Sequence, residues 1–142
     1  LHRGELWLLE AGSGHLGVVD RARGTFERRV FCPGYARGLA FVGGYAVVGV
    51  SSLRQNRTFA DLELGEALRG RGAEARCAVL IVDLARGDIV HWLRFDGAIQ
   101  ELYDVAVLPG VRRPMALGLR SDEIRRVITV DGPRPRADAR RQ

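Results

Sequence analysis

Four side chains are spaced so that the fold could bring them to one place. Glu101, Tyr103 and Asp104 precede an apolar run starting at Val105, and Arg37 holds the equivalent position before the run at Leu39. An arginine facing two carboxylates and a phenol is chemistry for gripping a small polar molecule, because a guanidinium offers a fixed fork of donors. The same oxygens would also suit a divalent cation such as calcium. The competing outcome is plain: acids and arginines in a protein interior often only neutralise one another. A second set, Arg54, Asn56, Arg57 and Asp61, lies in a polar stretch of 24 residues, 53–76, that interrupts the apolar pattern. Connections of that length are uncommon unless they serve a purpose, so the stretch is expected either to reach over the first site as a lid or partner-binding arm, or to shield a strand edge.

Other residues with chemical potential have simpler readings. His15 and His91 sit in strand-like sequence without a Ser or Cys at a suggestive spacing, so both are expected to be structural. Cys32 and Cys77 stand alone beside apolar runs and read as small buried thiols. Gly12, Gly14 and Gly17 precede a strand instead of a helix, which rejects a phosphate loop. No catalytic residue, metal-ligand set or cofactor motif is assigned.

The elements that must position these groups are hairpins. Residues 37–51, RGLAFVGGYAVVGVS, are two apolar runs joined at Gly43-Gly44, and residues 103–121, YDVAVLPGVRRPMALGLRS, repeat the plan around Pro109-Gly110. Further strand-like runs are ELWLLE, HLGVVD, TFERRVF, CAVLIVDL, DIVHWLRF and IRRVITV, with a helical turn or two expected over residues 61–68. The segment VVDRARG at Val18 recurs as IVDLARG at Ile81, 63 residues later, and the hairpins recur at about the same spacing. Without the insertion the period shrinks to about 40 residues, the size of a four-stranded propeller blade.

The fold class expected is therefore all-β, a partial β-propeller of about two and a half to three four-stranded antiparallel blades with a short helical insertion. Middle strands of such blades are covered on both sides and should read as continuous apolar runs, as YAVVGV and AVLIV do. An ordinary antiparallel sandwich is the rival, and it calls for cleaner alternation. The domain is expected over residues 1–132, with the insertion at 53–76, and residues 133–142 form an Arg- and Pro-rich tail expected to be disordered.

At residues 31–41 (FCPGYARGLAF), 44–59 (GYAVVGVSSLRQNRTF) and 87–118 (GDIVHWLRFDGAIQELYDVAVLPGVRRPMALG), the chain resembles an uncharacterised bacterial family of β-propeller-like proteins. Its members are conserved hypothetical proteins, some bearing a tetratricopeptide-repeat label. The likeness runs over residues 5–130 and is to the C-terminal part of longer proteins. It implies a fold and supplies no activity, cofactor or catalytic residue.

Composition narrows the partners. The net charge is +5 and every one of the 22 basic residues is Arg, but these are scattered among 17 acids, and the only dense cluster lies in the tail. With Ala and Gly also abundant, coding bias explains the arginines, and neither nucleic acid nor membrane is expected as a partner. No secretory segment is legible, so a cytoplasmic location is expected. A cut-short arc leaves apolar flanks open, which predicts self-association or pairing with a missing N-terminal part of the propeller. The function expected is a non-enzymatic binding module for a small polar ligand or a protein, using Arg37, Arg54, Asn56, Glu101, Tyr103 and Asp104. The alternative is a metal-dependent hydrolase or lactonase-like enzyme, with Glu101, Asp104 and Asn56 around a divalent ion.

Overall fold

Two antiparallel sheets and one short helix carry the described part of the chain, which in this computed structural model comprises residues 1–52, 63–114 and Asp122. The chain divides into two units, Leu1–Leu108 and Pro109–Gln142. All the secondary structure below belongs to the first unit. The first sheet holds β1 (Leu6–Glu10), β2 (His15–Asp20) and β3 (Thr25–Phe31) in the order β1-β2-β3. The second holds β4 (Tyr35–Val42), β5 (Tyr45–Ser51), β6 (Ala78–Asp83) and β7 (Asp88–Arg94) in the order β4-β5-β6-β7. Helix α1 (Glu63–Gly70) lies between β5 and β6 in the chain, with Glu63 and Glu66 in its first turn and Arg69 in its last, both matched to the helix dipole.

The recurring heptapeptide folds the same way twice. Asp20 Oδ1 accepts from the backbone N–H groups of Ala22 and Arg23, at 2.9 and 3.1 Å, and Asp83 Oδ1 accepts from Ala85 and Arg86, at 2.9 and 3.2 Å. Each turn closes on a glycine at positive φ, Gly24 at 67° and Gly87 at 75°, where an L side chain would be strained. Strands β2–β3 and β6–β7 are thus one hairpin design used twice.

Register decides which residues meet. In the second sheet Ala46, Val48 and Val50 of β5 lie opposite Val82, Leu80 and Ala78 of β6, and this face forms the core with Leu16, Val30 and Cys32 of the first sheet and its following link. Trp7 and Phe41 approach with ring centroids 6.2 Å apart, so β1 and β4 also meet. The opposite face of β4–β5 presents Gly38, Gly49 and Ser51, and residues 102–105 lie against it. Ser51 Oγ donates to the Leu102 carbonyl at 3.0 Å and accepts from its N–H at 2.9 Å. Ser52 N donates to the Gln100 carbonyl at 3.0 Å.

Strand β5 is consequently buried from Ala46 through Ser51, on both faces. Strand β6, equally apolar, alternates instead: Ala78, Leu80 and Val82 are buried while Val79, Ile81 and Asp83 are half-buried. The continuous apolar run thus predicts two-sided cover correctly for β5 and overstates it for β6, since residues 102–105 contact β4 and β5.

Residues 103–108, expected as an inner strand, form no ladder among the described residues. Of the expected second arm after Pro109-Gly110, residues 111–114 form no strand and residues 115–121 lie outside the described residues, and segment 103–108 makes its contacts with a sheet face instead of a sheet edge. The helix runs two residues later than expected, and Asp61, its expected cap, lies outside the described residues. So do the expected last strand at 124–130 and the tail at 133–142. Among the described residues no helix is long and apolar enough to cross a membrane. Cys32 and Cys77 are separate buried thiols, and burial pushes the Cys32 thiol up to about 12.

Candidate functional site

A β-bulge creates the geometry around Arg37. Ala36 pairs with Val50 and Gly38 pairs with Gly49, so Arg37 is the extra residue of β4, unpaired in the ladder and turned out of the pleat. Its guanidinium carbon lies 5.2 Å from the centre of the Tyr35 ring and 5.1 Å from that of Tyr103. Both distances fit cation–π attraction. Glu101 Oε2 lies 3.8 Å from Arg37 Nη1, an ion pair too long to be a hydrogen bond. The Arg37 side chain is 27% exposed and that of Glu101 15%.

Two glycines make this arrangement possible. A Cβ on Gly38 would stand 2.5 Å from Val105 N, and one on Gly49 would stand 3.0 Å from Val105 Cγ1. Only with both absent can residues 102–105 lie close enough to β4 to bring Tyr103 over Arg37. Asp104 does not join the group: its Oδ1 accepts from its neighbour's backbone N–H, Val105, at 2.8 Å, and the residue is exposed. The structure therefore brings together three of the four residues picked from sequence. Arg54 and Asn56 lie outside the described residues, as do Arg57 and Asp61. Sequence reasoning passed over Tyr35, Ser51 and the two glycines, and the one available signal was the break in β4's apolar pattern at Ala36-Arg37-Gly38.

A second polar cluster ties α1 to the first sheet. Arg28 on β3 donates Nε to Glu10 Oε2 at 2.6 Å and Nη2 to Glu63 Oε2 at 2.8 Å, with Nη1 also on Glu63. Ser13, which is buried, donates to the Glu10 carboxylate. His15 Nδ1 is 3.1 Å from Ser13 Oγ, and because that hydroxyl's proton is committed to Glu10, the imidazole is the donor. Leu64 and Leu68 are buried, Leu64 N donates to the Gly12 carbonyl, and the Arg71 guanidinium lies 4.2 Å above the Phe31 ring. The described part of the 53–76 insertion thus contacts the Gly12–Gly14 turn and side chains of β3, while most of β3 stays exposed. The order Glu–Ser–His leaves the serine donating to a carboxylate, opposite to the arrangement of an activated nucleophile.

This cluster makes stability sensitive to acid. Hydrogen bonds from Arg28, then from Ser13, hold the Glu10 carboxyl below its ordinary 4.5, and Arg28 does the same for Glu63. Burial, followed by the charges of Arg28 and Arg71, lowers His15 below 6.5. In all three the unfolded chain binds protons more readily than the folded one, so stability rises with pH. Urea midpoints are expected to fall from pH 7 to pH 5.5 as His15 begins to titrate, and further below pH 4.5 as the carboxylates follow. In Arg28→Ala the second decline should flatten; an unchanged profile would remove the cluster from the account.

Among the described residues no three His, Cys, Asp or Glu side chains stand together as a metal site. A family model described as Domain of unknown function (DUF4915) matches residues 1–117. No curated protein and no solved structure matches the chain.

Proposed function

The chain belongs to the DUF4915 family, and we propose that it is an arc of a β-propeller serving as a binding module, with Arg37 receiving the anionic group of a small polar ligand. The observation that carries this reading is the setting of Arg37. Its guanidinium lies within cation–π range of two tyrosine rings, approaches the Glu101 carboxylate at 3.8 Å, and stays partly open to solvent. A guanidinium oriented in advance loses little freedom when a carboxylate or phosphate docks on its donors, and that preorganisation favours binding.

The propeller part of the proposal draws support from repetition and from burial. If β2–β3 and β6–β7 are equivalent hairpins, β1 corresponds to β5, and β4 is an innermost strand. Burial falls from β5 outward to β7, as expected where sheets wedge around an axis. In that arrangement residues 100–105 enter the next blade, and Arg37 faces the channel. The ring would close against copies of this chain or against a longer chain's N-terminal blades. The reading includes a cytoplasmic setting, in keeping with two cysteines kept as separate buried thiols.

Thermal unfolding with inorganic phosphate or malonate at constant ionic strength tests the binding claim. At a hundredfold excess over Kd a ligand adds about 2.7 kcal/mol to stability. The wild type is expected to gain Tm with at least one of the two anions, and Arg37→Gln is expected to lose that gain. Equal responses from the two proteins would overturn the reading.

A further inference from the structure

Away from Arg37, the core face of the second sheet ends in an open cleft. Along β6 and β7, Ala78 lies opposite Arg94, Leu80 opposite Trp92 and Val82 opposite Ile89, so all six side chains share the face that the first sheet covers nearer β4. At the β7 end that cover stops. A cavity of about 230 Å³ remains, walled by Pro33, Ala78, Leu80, Ile89 and Trp92, with Arg76 and Arg94 on its rim. Trp92 is 65% exposed, although its partner across the strands, Leu80, is 4% exposed. An indole left this open beside a buried wall is unsatisfied surface, and a bound apolar body would cover both.

The charged side chains that line this cleft are basic. Among the described residues both charged side chains lining the cavity are arginines, Arg76 and Arg94. Arg94 pairs with Asp96 at 2.7 Å, but both side chains are more than half exposed. Exposed ion pairs contribute little, so the guanidinium can exchange partners at small cost. Arg76 has its backbone N–H on the Pro33 carbonyl at 3.2 Å, which fixes the base of its side chain at the cleft mouth. Drug-sized ligands fill cavities of roughly 300 to 1,000 Å³, so this one takes something smaller.

We propose that this cleft is a second binding site, for a small amphiphilic carboxylate: an aromatic or short aliphatic body lies on Trp92, Leu80 and Ala78, and its carboxylate meets Arg76 and Arg94. The cleft is separate from Arg37 and its tyrosine neighbours, Tyr35 and Tyr103. It survives even if the Arg37 reading fails, because it shares no residue with it.

The test is an NMR titration of the whole chain, in which the two tryptophans, Trp7 and Trp92, give two indole N–H signals and Trp7→Phe assigns them. The probes are 3-phenylpropionate and its uncharged counterpart 3-phenylpropanol. The carboxylate is expected to shift the Trp92 indole and the Ala78 and Leu80 amides saturably, and to bind about tenfold tighter than the alcohol, the low end for a charge-assisted contact. Arg76→Gln should bring the carboxylate close to the alcohol while leaving the alcohol's affinity unchanged. Equal affinity of the two probes for the wild type would overturn the charge assignment. No saturable shift at Trp92 with either probe up to ~10 mM, a limit of about 2.7 kcal/mol in binding free energy by the standard conversion, would overturn the site.

Discussion

Replacing Gly38 by Val is expected to destabilise the fold by about 3 kcal/mol and to release residues 102–105 from β4. The added Cβ would stand 2.5 Å from Val105 N, 2.7 Å from the Asp104 carbonyl carbon and 2.9 Å from Asp104 Cα. All three are backbone atoms, so no flexible side-chain end can give way, and the segment itself must move. Moving it breaks both Ser51–Leu102 hydrogen bonds and lifts Tyr103 from Arg37. Gly44→Ala serves as the comparison, since its Cβ would meet only an Arg3 nitrogen at 3.8 Å. It should change stability by less than about 0.5 kcal/mol. Urea denaturation gives both numbers, and amide exchange at Leu102 reports the release; a Gly38→Val protein with Leu102 still protected would separate the segment from the sheet.

Leu16→Ala is expected to cost about 2 to 5 kcal/mol. Leu16 is fully buried at the point where β2 pairs with both neighbours, opposite Leu9 on β1 and Val30 on β3, and it belongs to the cluster that joins the two sheets. Truncation removes three carbons from a site fixed by ladders on either side, which leaves the cavity little room to collapse. A domain of this size holds roughly 5 to 15 kcal/mol in all, so the loss is a large fraction and should lower Tm on the order of 10 °C. A loss below about 1 kcal/mol in a urea melt would mean that the two sheets do not share this core.

The strands and turns were legible because their physics is local. Alternation and apolar runs mark β1 to β7 within a residue or two of their observed ends, and the repeated Asp-x-x-x-Gly segment marks two turns whose aspartate caps the loop and whose glycine takes positive φ. Less was legible where a segment's state depends on distant chain. Residues 103–108 have strand-like sequence, yet a strand exists only if an edge is there to pair with, and in the described structure they meet the glycine-lined face of β4–β5. The same limit applies to the site. Placing Arg37 near Glu101 and Tyr103 followed from the hairpin repeat, whereas the stacking of Tyr35 depends on a bulge and the pairing of Arg28 with Glu63 spans 35 residues with no sequence trace. The cleft at Trp92 was invisible for a different reason: sequence shows that a tryptophan is present, and only packing shows that its neighbours fail to cover it.

Two sheets sharing a core suit a sandwich as well as neighbouring blades, and the two differ in what lies on the far side of β5. A sandwich leaves that face to solvent; an arc of blades puts another layer there. The Arg37 site belongs to that same layer, since Tyr103 reaches it only from residues 102–105. The most direct measurement is the nuclear Overhauser contact between the Val105 methyls and the α-protons of Gly49, read in a sample whose β4–β5 cross-strand contacts are also observed. The account predicts a strong contact, because a Cβ on Gly49 would stand 3.0 Å from Val105 Cγ1. Its absence, with the β4–β5 ladder intact, would leave β5 bare on one side and contradict both the blade arc and the ligand site built on it.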